Sequence, residues 1–185
     1  MHFVSRGPNR EEVNSTPMNE VIKAIYERRS VRDFTAEPVP REHIMEILKA
    51  GSWAPSGLNN QPWRFAIVTD PALKEKFEPL TKYTRIIKSA QCLLPVFISK
   101  SKMYHETKDH QAIGACLQNM LLCAHSLGLG AVWLGEILKS GDEVRKLLGL
   151  SEDLELMAVI ALGWPKNRDQ KSRRIPLEEL IVFDN

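Results

Sequence analysis

Residues 54–63 have the sequence APSGLNNQPW, a short stretch with two prolines, one glycine and three side-chain amides. Proline fixes φ and glycine permits unusual φ, so this composition predicts a loop with a defined shape. Amide side chains carry both donors and acceptors, which suits them to the edge of a flat heterocycle. An ordinary connection between a helix and a strand explains the same residues equally well, and this stretch alone does not choose between the two interpretations.

The composition is that of an ordinary globular domain. The chain has 185 residues, 43% hydrophobic and 26% charged, with a net charge of +2. This length predicts one sizeable domain, or a subunit that shares its core with a partner. A nearly neutral chain has no global field to recruit nucleic acid or a membrane, and no apolar run reaches the ~18 residues of a transmembrane helix. Three cysteines without paired spacing, Cys92, Cys116 and Cys123, indicate reduced thiols and a cytoplasmic protein.

Helical and strand patterns follow one another without a repeat or a linker. Hydrophobic spacing predicts helices over 17–29, 40–52, 108–127 and 140–149, short helical pieces within 71–90, and strands over 63–69, 93–99, 131–135 and 156–164. The mixture predicts one α+β or α/β domain over residues 17–185, preceded by a flexible arm over 1–16. Pro95 lies inside a predicted strand, where it cannot donate to a central ladder.

The predicted 108–127 helix carries apolar residues on nearly all of its faces. A helix that is apolar all round is buried on all sides. One small domain rarely surrounds so long a helix, so this pattern predicts that part of the helix packs against a second subunit.

Two basic clusters are candidates for an anion site. The first is ERRSVRDF, residues 27–34, which places Arg28, Arg29, Ser30 and Arg32 within five positions. One guanidinium group can bind two phosphate oxygens through two parallel hydrogen bonds, which favours an anion site. The alternative interpretation is that these basic residues only offset the dipole of the helix at its last turn. The second cluster is KNRDQKSRR, residues 166–174, which is either a solvated loop or a second half of the same site. Both clusters could converge on one phosphate.

Several well-known catalytic motifs are absent from the sequence. The glycines near residue 130 do not form a G-x-G-x-x-G fingerprint, and neither a phosphate-binding P-loop nor a G-x-S-x-G nucleophile motif occurs. His105 and His110 would point about 140° apart on a helix, so they do not predict a shared metal. No catalytic side chain and no metal ligand is therefore assigned.

Four blocks together carry a resemblance to a known family. ERRSVRDF, APSGLNNQPWRF, LGLGAVWLG and ALGWP followed by RRIPLEEL occur in this order between about Met18 and Phe183. The combination resembles the FMN-dependent nitroreductase family. The resemblance implies a nitroreductase-like three-layer α+β fold, in which a central mixed sheet is flanked by helices. It further implies a homodimer with FMN at the subunit interface, and the C-terminal tail is a candidate strand for the partner's sheet.

The resemblance also assigns the basic residues. It implies that Arg28 and Ser30 bind the phosphate and ribityl end of FMN, with Arg29 beside them. Arg174, one residue before Ile-Pro, matches the C-terminal phosphate arginine of the family, and Arg173 and Lys171 are weaker candidates. Arg32 matches the cation near flavin N1 and O2, where a guanidinium stabilises the negative charge that reduction produces.

The resemblance implies that the loop over residues 54–63 borders the flavin ring through Pro55, Ser56, Gly57, Asn59 and Gln61. Ser56 and Asn59 are expected to reach the ring from the partner subunit. The backbone of Leu134 and Gly135 matches the segment beside flavin N5 and O4. All of these residues are therefore expected to bind the cofactor.

The activity implied by the resemblance is electron transfer from NADH or NADPH. Hydride passes to flavin N5, and a small acceptor such as a nitroaromatic, quinone or enone then takes two electrons in a ping-pong cycle. Residues 100–110 are either a lid over the flavin or a surface loop. The alternatives are a flavin reductase or dehalogenating branch of the family, and a flavin-binding or redox-sensing module with little turnover. Binding of nucleic acid is disfavoured, because no aromatic residues interleave with the arginines.

Overall fold

The computed structural model describes residues 19–185. Its helices are α1 (Glu20–Glu27), α2 (Arg41–Ser52), α3 (Pro71–Glu75), α4 (Thr84–Ser89), α5 (Glu106–Ser126) and α6 (Gly141–Leu147), and its strands are β1 (Trp63–Phe65), β2 (Cys92–Ser99), β3 (Gly130–Leu134) and β4 (Leu154–Gly163). The predicted elements are present, and the largest difference is in β1, which ends at Phe65. The predicted flexible arm, residues 1–16, lies outside the described residues, as do the first two positions of the predicted 17–29 helix.

The four strands form a sheet in the order β1-β2-β4-β3, and every neighbouring pair is antiparallel. The predicted α+β class is confirmed, but the sheet is antiparallel where the resemblance implied a mixed one. Strands β2 and β3 do run in the same direction, joined by α5, yet β4 lies between them and opposes both. Among the described residues, the parallel contact is an isolated bridge between Ser30 and Ala131 at the outer edge of β3.

Both faces of the sheet are covered, which gives the predicted three layers. Leu94, Val96 and Ile98 of β2 pack with α2 and α5 in one core. Leu93 and Phe97 point to the other face and pack with α4, α6 and neighbouring loops. Because side chains alternate along a strand, a strand buried along its whole length, as β2 is, supplies both cores. Each large apolar side chain buried in this way contributes about 1.5–3 kcal/mol.

Helices α2 and α5 approach each other closely at a glycine. A Cβ atom at Gly51 would lie 2.7 Å from Cγ of Met120, so a larger residue would push the helices apart. Helix α2 ends one residue later at Ser52 and leads directly into the amide-rich loop. The close packing therefore fixes the start of that loop against α5.

Pro95 occupies a central strand without breaking it. Its carbonyl accepts a hydrogen bond of 2.9 Å from the amide of Ala66, one residue after β1 ends. In a strand the N–H and C=O of one residue point to the same side, so the missing donor of Pro95 faces the end of β1. There the proline removes no bond from the longer β2–β4 ladder.

Helix α1 and the C-terminal tail leave apolar side chains uncovered within the described chain. Helix α1 has no buried residue, and Val21 and Tyr26 are each 63% exposed. The C-terminal tail forms a short turn at Leu177–Glu179 and leaves Val182 and Phe183 exposed. The tail adds no strand to the sheet of its own chain, so an added strand in a partner stays a prediction. None of the helices in residues 19–185 combines the length and apolarity needed to cross a membrane.

Candidate functional site

An arginine-lined cavity lies where α1 ends. Its volume is about 310 Å³, and its lining carries three arginines, Arg28, Arg29 and Arg168, against the single carboxylate of Glu27. The rest of the lining consists of the apolar residues Val31, Leu121, Leu129 and Ala131, together with His125 and Gln170. We call this space the arginine cavity.

Positive charge in the arginine cavity is not neutralised by the described residues. The Nε atoms of Arg28 and Arg29 are buried and have no hydrogen-bond partner. Burial lowers the pKa of the Arg28 guanidinium, and the charges of Arg174 and Arg29 act in the same direction. The ion pairs formed within residues 19–185 include none of these arginines. Buried donors without partners cost about 1–3 kcal/mol each, so the cavity is suited to an anion.

The edge of β3 explains how the chain places these residues. After α1 ends, the amide of Val31 donates to the carbonyl of Ala131 at 3.0 Å, and Ser30 bridges to the same residue. Gly130 permits this approach, because a Cβ there would lie 2.7 Å from Val31 Cγ1. The segment 28–31 is thereby held beside the turn between α5 and β3.

The second basic cluster converges on the first, as the sequence suggested. Arg174 is near enough to affect the pKa of Arg28, and Arg168 both lines the cavity and donates to the carbonyl of Gly128. Arg173 and Lys171 are exposed. Sequence reasoning did not select Arg168, although it lies in the cluster KNRDQKSRR and that cluster was the available signal.

A second cavity of about 490 Å³ adjoins the arginine cavity and shares Gln170 with it. Ser30 and Arg32 line it from one side, and Lys82, Tyr83 and Arg85 line it from the other. We call it the outer cavity. Arg32 donates only to the backbone carbonyl of Ser30, at 3.3 Å, among the described residues.

Leu134 and Gly135 lie at the end of β3, where the chain turns next to the Lys82 segment. Leu134 is buried and Gly135 is exposed. The carboxylate of Glu136, the next residue, accepts hydrogen bonds from the Thr81 hydroxyl at 2.6 Å and the Lys82 amide at 3.0 Å. Hydrogen bonds from Lys139 and Thr81 lower the pKa of Glu136 to about 2, so it stays ionised.

The amide-rich loop is rigid, but for a different reason from the predicted one. The residues with positive φ are Leu58, Asn59 and Gln61, at 55°, 53° and 46°, and Gly57 is not among them. Gly57 instead makes room for Tyr104, whose Oη would lie 1.8 Å from a Cβ at this position. Left-handed backbone at non-glycine residues is uncommon and persists only where other contacts hold it.

Asp109 supplies such contacts, and sequence reasoning missed it. This buried carboxylate accepts from Asn60 Nδ2 at 2.6 Å and from the backbone amides of Tyr104 and His105 at 2.9 and 2.8 Å. Asn60 also donates to the carbonyl of Lys102 at 3.0 Å. Asp109 therefore ties residues 100–105 to the loop, and its position on the buried stripe of α5 was the available signal.

One chain does not bring all predicted site residues together. Pro55, Ser56 and Gly57 lie over the N-terminal half of α5, beside Ala112. The arginine cavity lies over its C-terminal half, beside His125. At about 1.5 Å per residue, these two positions are about 20 Å apart along the helix. The loop and the arginines thus form two separate halves.

Comparisons with known proteins agree with this architecture. The sequence model of the nitroreductase family matches residues 25–95 and 80–164. A protein of Archaeoglobus fulgidus named as an NADH dehydrogenase/NAD(P)H nitroreductase is 35% identical over 156 residues, which cover 81% of this chain and 88% of the relative. An NADPH-flavin oxidoreductase of Vibrio harveyi is 31% identical over 180 residues, covering 91% and 75%.

A solved structure supports the same conclusion. The crystal structure of a Desulfovibrio desulfuricans protein, described as a nitroreductase in complex with FMN, has a TM-score of 0.86 and 45% identity, covering 91% of this chain and 98% of that one. The fold and the cavity define an α+β protein with an arginine-lined cavity at the end of its first helix. The chain belongs to the nitroreductase family.

Proposed function

We propose that the protein is an NAD(P)H-dependent oxidoreductase that holds FMN between two identical subunits and reduces a small acceptor such as a nitroaromatic, a quinone or an enone. The oxidoreductase class and the cofactor follow from its family, whose members include an NADPH-flavin oxidoreductase and a structure with FMN. The observation that carries the proposal is the pair of buried, unpartnered Nε atoms of Arg28 and Arg29.

The chemistry of the arginine cavity fits the phosphate of FMN. A dianionic phosphate accepts several charge-assisted hydrogen bonds, and the guanidinium groups of the arginines that line the cavity can donate them. Apolar side chains such as Leu121 and Leu129 line the same cavity and limit access of water. We assign phosphate binding to Arg28, Arg29 and Arg168, which line the arginine cavity. We also assign it to Ser30, which lines the adjoining outer cavity, and to Arg174, whose charge acts on Arg28.

Residues of the chain position the reaction and stabilise charge. When bound, FMN would supply the redox chemistry that carries two electrons from NAD(P)H to the acceptor. We assign Arg32 to the edge of the ring that becomes negative, where a fixed guanidinium favours reduction. The backbone of Leu134 and Gly135 is assigned to the redox end of the ring. No acidic side chain is assigned to proton transfer, and solvent supplies the proton.

A dimer would complete the site. Pro55, Ser56, Asn59 and Gln61 are assigned to the ring, yet Pro55 and Ser56 lie about 20 Å along α5 from the arginine cavity of their own chain. A second chain would bring its loop to these arginines. The exposed apolar face of α1 and the exposed tail around Phe183 offer the surface that such a dimer buries.

A cytoplasmic location is part of the proposal. Burial raises the pKa of the Cys92 and Cys116 thiols to about 12, so both remain protonated. Together with Cys123, they are free thiols in the structure. Free, unreactive cysteines are typical of proteins from reducing compartments.

The test is the visible absorption spectrum of the purified protein before and after anaerobic addition of NADPH, and separately of NADH. We expect a flavin band that bleaches with at least one donor and returns when menadione is added. Bleaching without acceptor-dependent recovery would favour the flavin-binding module. A protein that neither contains nor binds FMN would refute the proposal.

A further inference from the structure

His125 lines the arginine cavity from the last turn of α5. The end of this helix is fixed by its backbone, since the carbonyl of His125 accepts from the Gly128 amide at 3.0 Å. Among the side-chain hydrogen bonds formed within residues 19–185, none involves the imidazole of His125. By contrast, Nδ1 of His110 in the same helix lies 2.6 Å from the carbonyl oxygen of Glu106. The described chain thus gives the ring of His125 no partner, and the ring borders a cavity suited to an anion.

Charged groups face His125 from the two segments that border the cavity opposite α5. Glu27, Arg28 and Arg29 lie where α1 ends, and Arg168 lies in the segment after β4. Burial and the charge of Arg168 lower the pKa of His125; Arg28 and Arg29 add to this, and the carboxylate of Glu27 opposes it. Near neutral pH, the imidazole is therefore more often uncharged in the protein without an anion than an ordinary histidine is.

A phosphate in the cavity would reverse this balance. The negative charge of the phosphate would offset the charges of the arginines, and an anion close to an imidazole favours its protonated form. A protonated imidazole has two N–H donors, whereas the neutral ring has one donor and one acceptor. Protonation of His125 would therefore bring an additional positive charge and an additional donor to the phosphate, from a helix that supplies none of the arginines.

We propose that His125 is a further phosphate-binding residue which takes up a proton when FMN binds, so that retention of the cofactor weakens as the pH rises. This inference rests on the proposed function. The proton comes from solvent and returns to solvent when FMN leaves, and the N–H bond of the imidazole is the bond that forms and breaks. Mildly alkaline conditions would then favour release of the cofactor, and mildly acidic conditions would favour its retention.

The direction of the pH effect separates His125 from the phosphate itself. A phosphate monoester has a second pKa of about 6, and binding of its dianion releases protons near and below that pH. The phosphate therefore makes binding tighter as the pH rises, whereas a histidine that gains a proton on binding makes it weaker. Carboxylates and guanidinium groups ordinarily titrate outside the range between about pH 6.5 and 8.5. Proton uptake within this range is thus the expected signature of His125.

The experiment measures FMN retention and proton uptake separately. The FMN-loaded protein is diluted at fixed ionic strength into buffers from about pH 6.5 to 8.5, and free FMN is measured by its fluorescence. Calorimetry in buffers of different ionisation enthalpy then measures the protons taken up as FMN is added back. The variants are His125→Asn, which removes the titratable group, and His125→Lys, which keeps a positive charge. The matched control is His110→Asn, because His110 lies in the same helix and does not line the arginine cavity.

We expect the FMN dissociation constant of the wild type to rise across this range by about threefold to tenfold relative to His125→Asn, between the effect of an exposed ion pair and that of a charge-assisted hydrogen bond. His110→Asn should match the wild type, and His125→Lys should keep its affinity at the alkaline end, where lysine is still charged. Proton uptake should be present in the wild type and absent in His125→Asn.

Two results would overturn the inference. One is the same pH profile and the same proton uptake in the wild type and in His125→Asn. The other is a loss of affinity in His125→Asn that is equal at every pH, because the side chain would then act through packing or an uncharged contact. A protein that binds no FMN at any pH would end both proposals, whereas FMN binding without a contribution of His125 to the pH profile would end only this one.

Discussion

Replacing Asp109 by alanine should lower the free energy of unfolding by about 3 kcal/mol. Three donors lose an ionised acceptor, namely Asn60 Nδ2 and the amides of Tyr104 and His105. Hydrogen bonds to charged groups contribute about 1.5–3 kcal/mol each, so three would exceed about 4.5 kcal/mol if nothing replaced them. Tyr104 and His105 are exposed, and water can therefore reach their amides and reduce the loss.

The same substitution should change how stability depends on pH. Burial acts to raise the pKa of Asp109, but hydrogen bonds from the His105 amide, the Asn60 side chain and the Tyr104 amide together hold it below its usual value of 3.8. A carboxyl with a lowered pKa in the folded state stabilises the protein above its unfolded pKa and loses that contribution as the pH falls through the folded value. The gap between wild type and Asp109→Ala should be full above about pH 5 and shrink below about pH 4.

Urea unfolding at fixed protein and FMN concentrations measures both effects. With a slope of about 2 kcal/mol per molar urea, the midpoint should fall by about 1.5 M. The control is Asp70→Ala, which removes a carboxylate that caps α3 through one bond of 2.7 Å to Leu73 N and should cost about 1 kcal/mol. A loss for Asp109→Ala no larger than the control's, with no extra pH dependence, would refute the role of Asp109 as the anchor of the loop.

Three further outcomes are expected. Arg28→Ala should weaken FMN binding by about tenfold to a hundredfold in a fluorescence titration, because a charge-assisted bond of about 1.5–3 kcal/mol is lost; unchanged affinity would remove Arg28 from the phosphate site. Gly57→Ala should destabilise by about 1–3 kcal/mol through its clash with Tyr104, and Tyr104→Ala in the same chain should relieve most of that cost, so additive losses would contradict the contact. Light scattering should give twice the 21.0 kDa mass of the chain, and a stable FMN-loaded monomer would contradict the dimer.

Hydrophobic pattern was enough to predict the helices and the two central strands. Strand β2 and the later part of β4 are apolar runs because both of their faces are buried, and the buried stripe of α5 is apolar because the sheet and α2 cover it. The relative direction of the strands was harder to predict from the sequence. Whether β2 and β3 are neighbours depends on β4 being placed between them, and that is a long-range pairing which no local pattern encodes.

The candidate site was predictable in its chemistry and less so in its geometry. The two basic clusters suggested one phosphate, and the fold brings Arg168 of the second cluster into the same cavity as Arg28. In the loop, the glycine suggested positive φ, but Leu58 and Asn59 adopt it, because Asp109 and its partners hold the backbone from outside the loop. Arg168 was overlooked because its approach to Gly128 depends on the turn after α5, which lies far from it in sequence.

The separation of the amide loop and the arginine cavity along α5 has a genetic consequence. A chain with Arg28→Ala keeps an intact amide-rich loop, and a chain with Asn59→Ala keeps an intact arginine cavity. If the proposed dimer forms and the two variants are mixed and allowed to exchange subunits, each mixed pair would contain one site built from two intact halves and one built from two damaged halves. Two inactive alleles would then restore activity together, to about a quarter of the wild-type level for random pairing of equal amounts. Complementation between two alleles of one gene would thus follow from the location of the two segments at opposite ends of one helix.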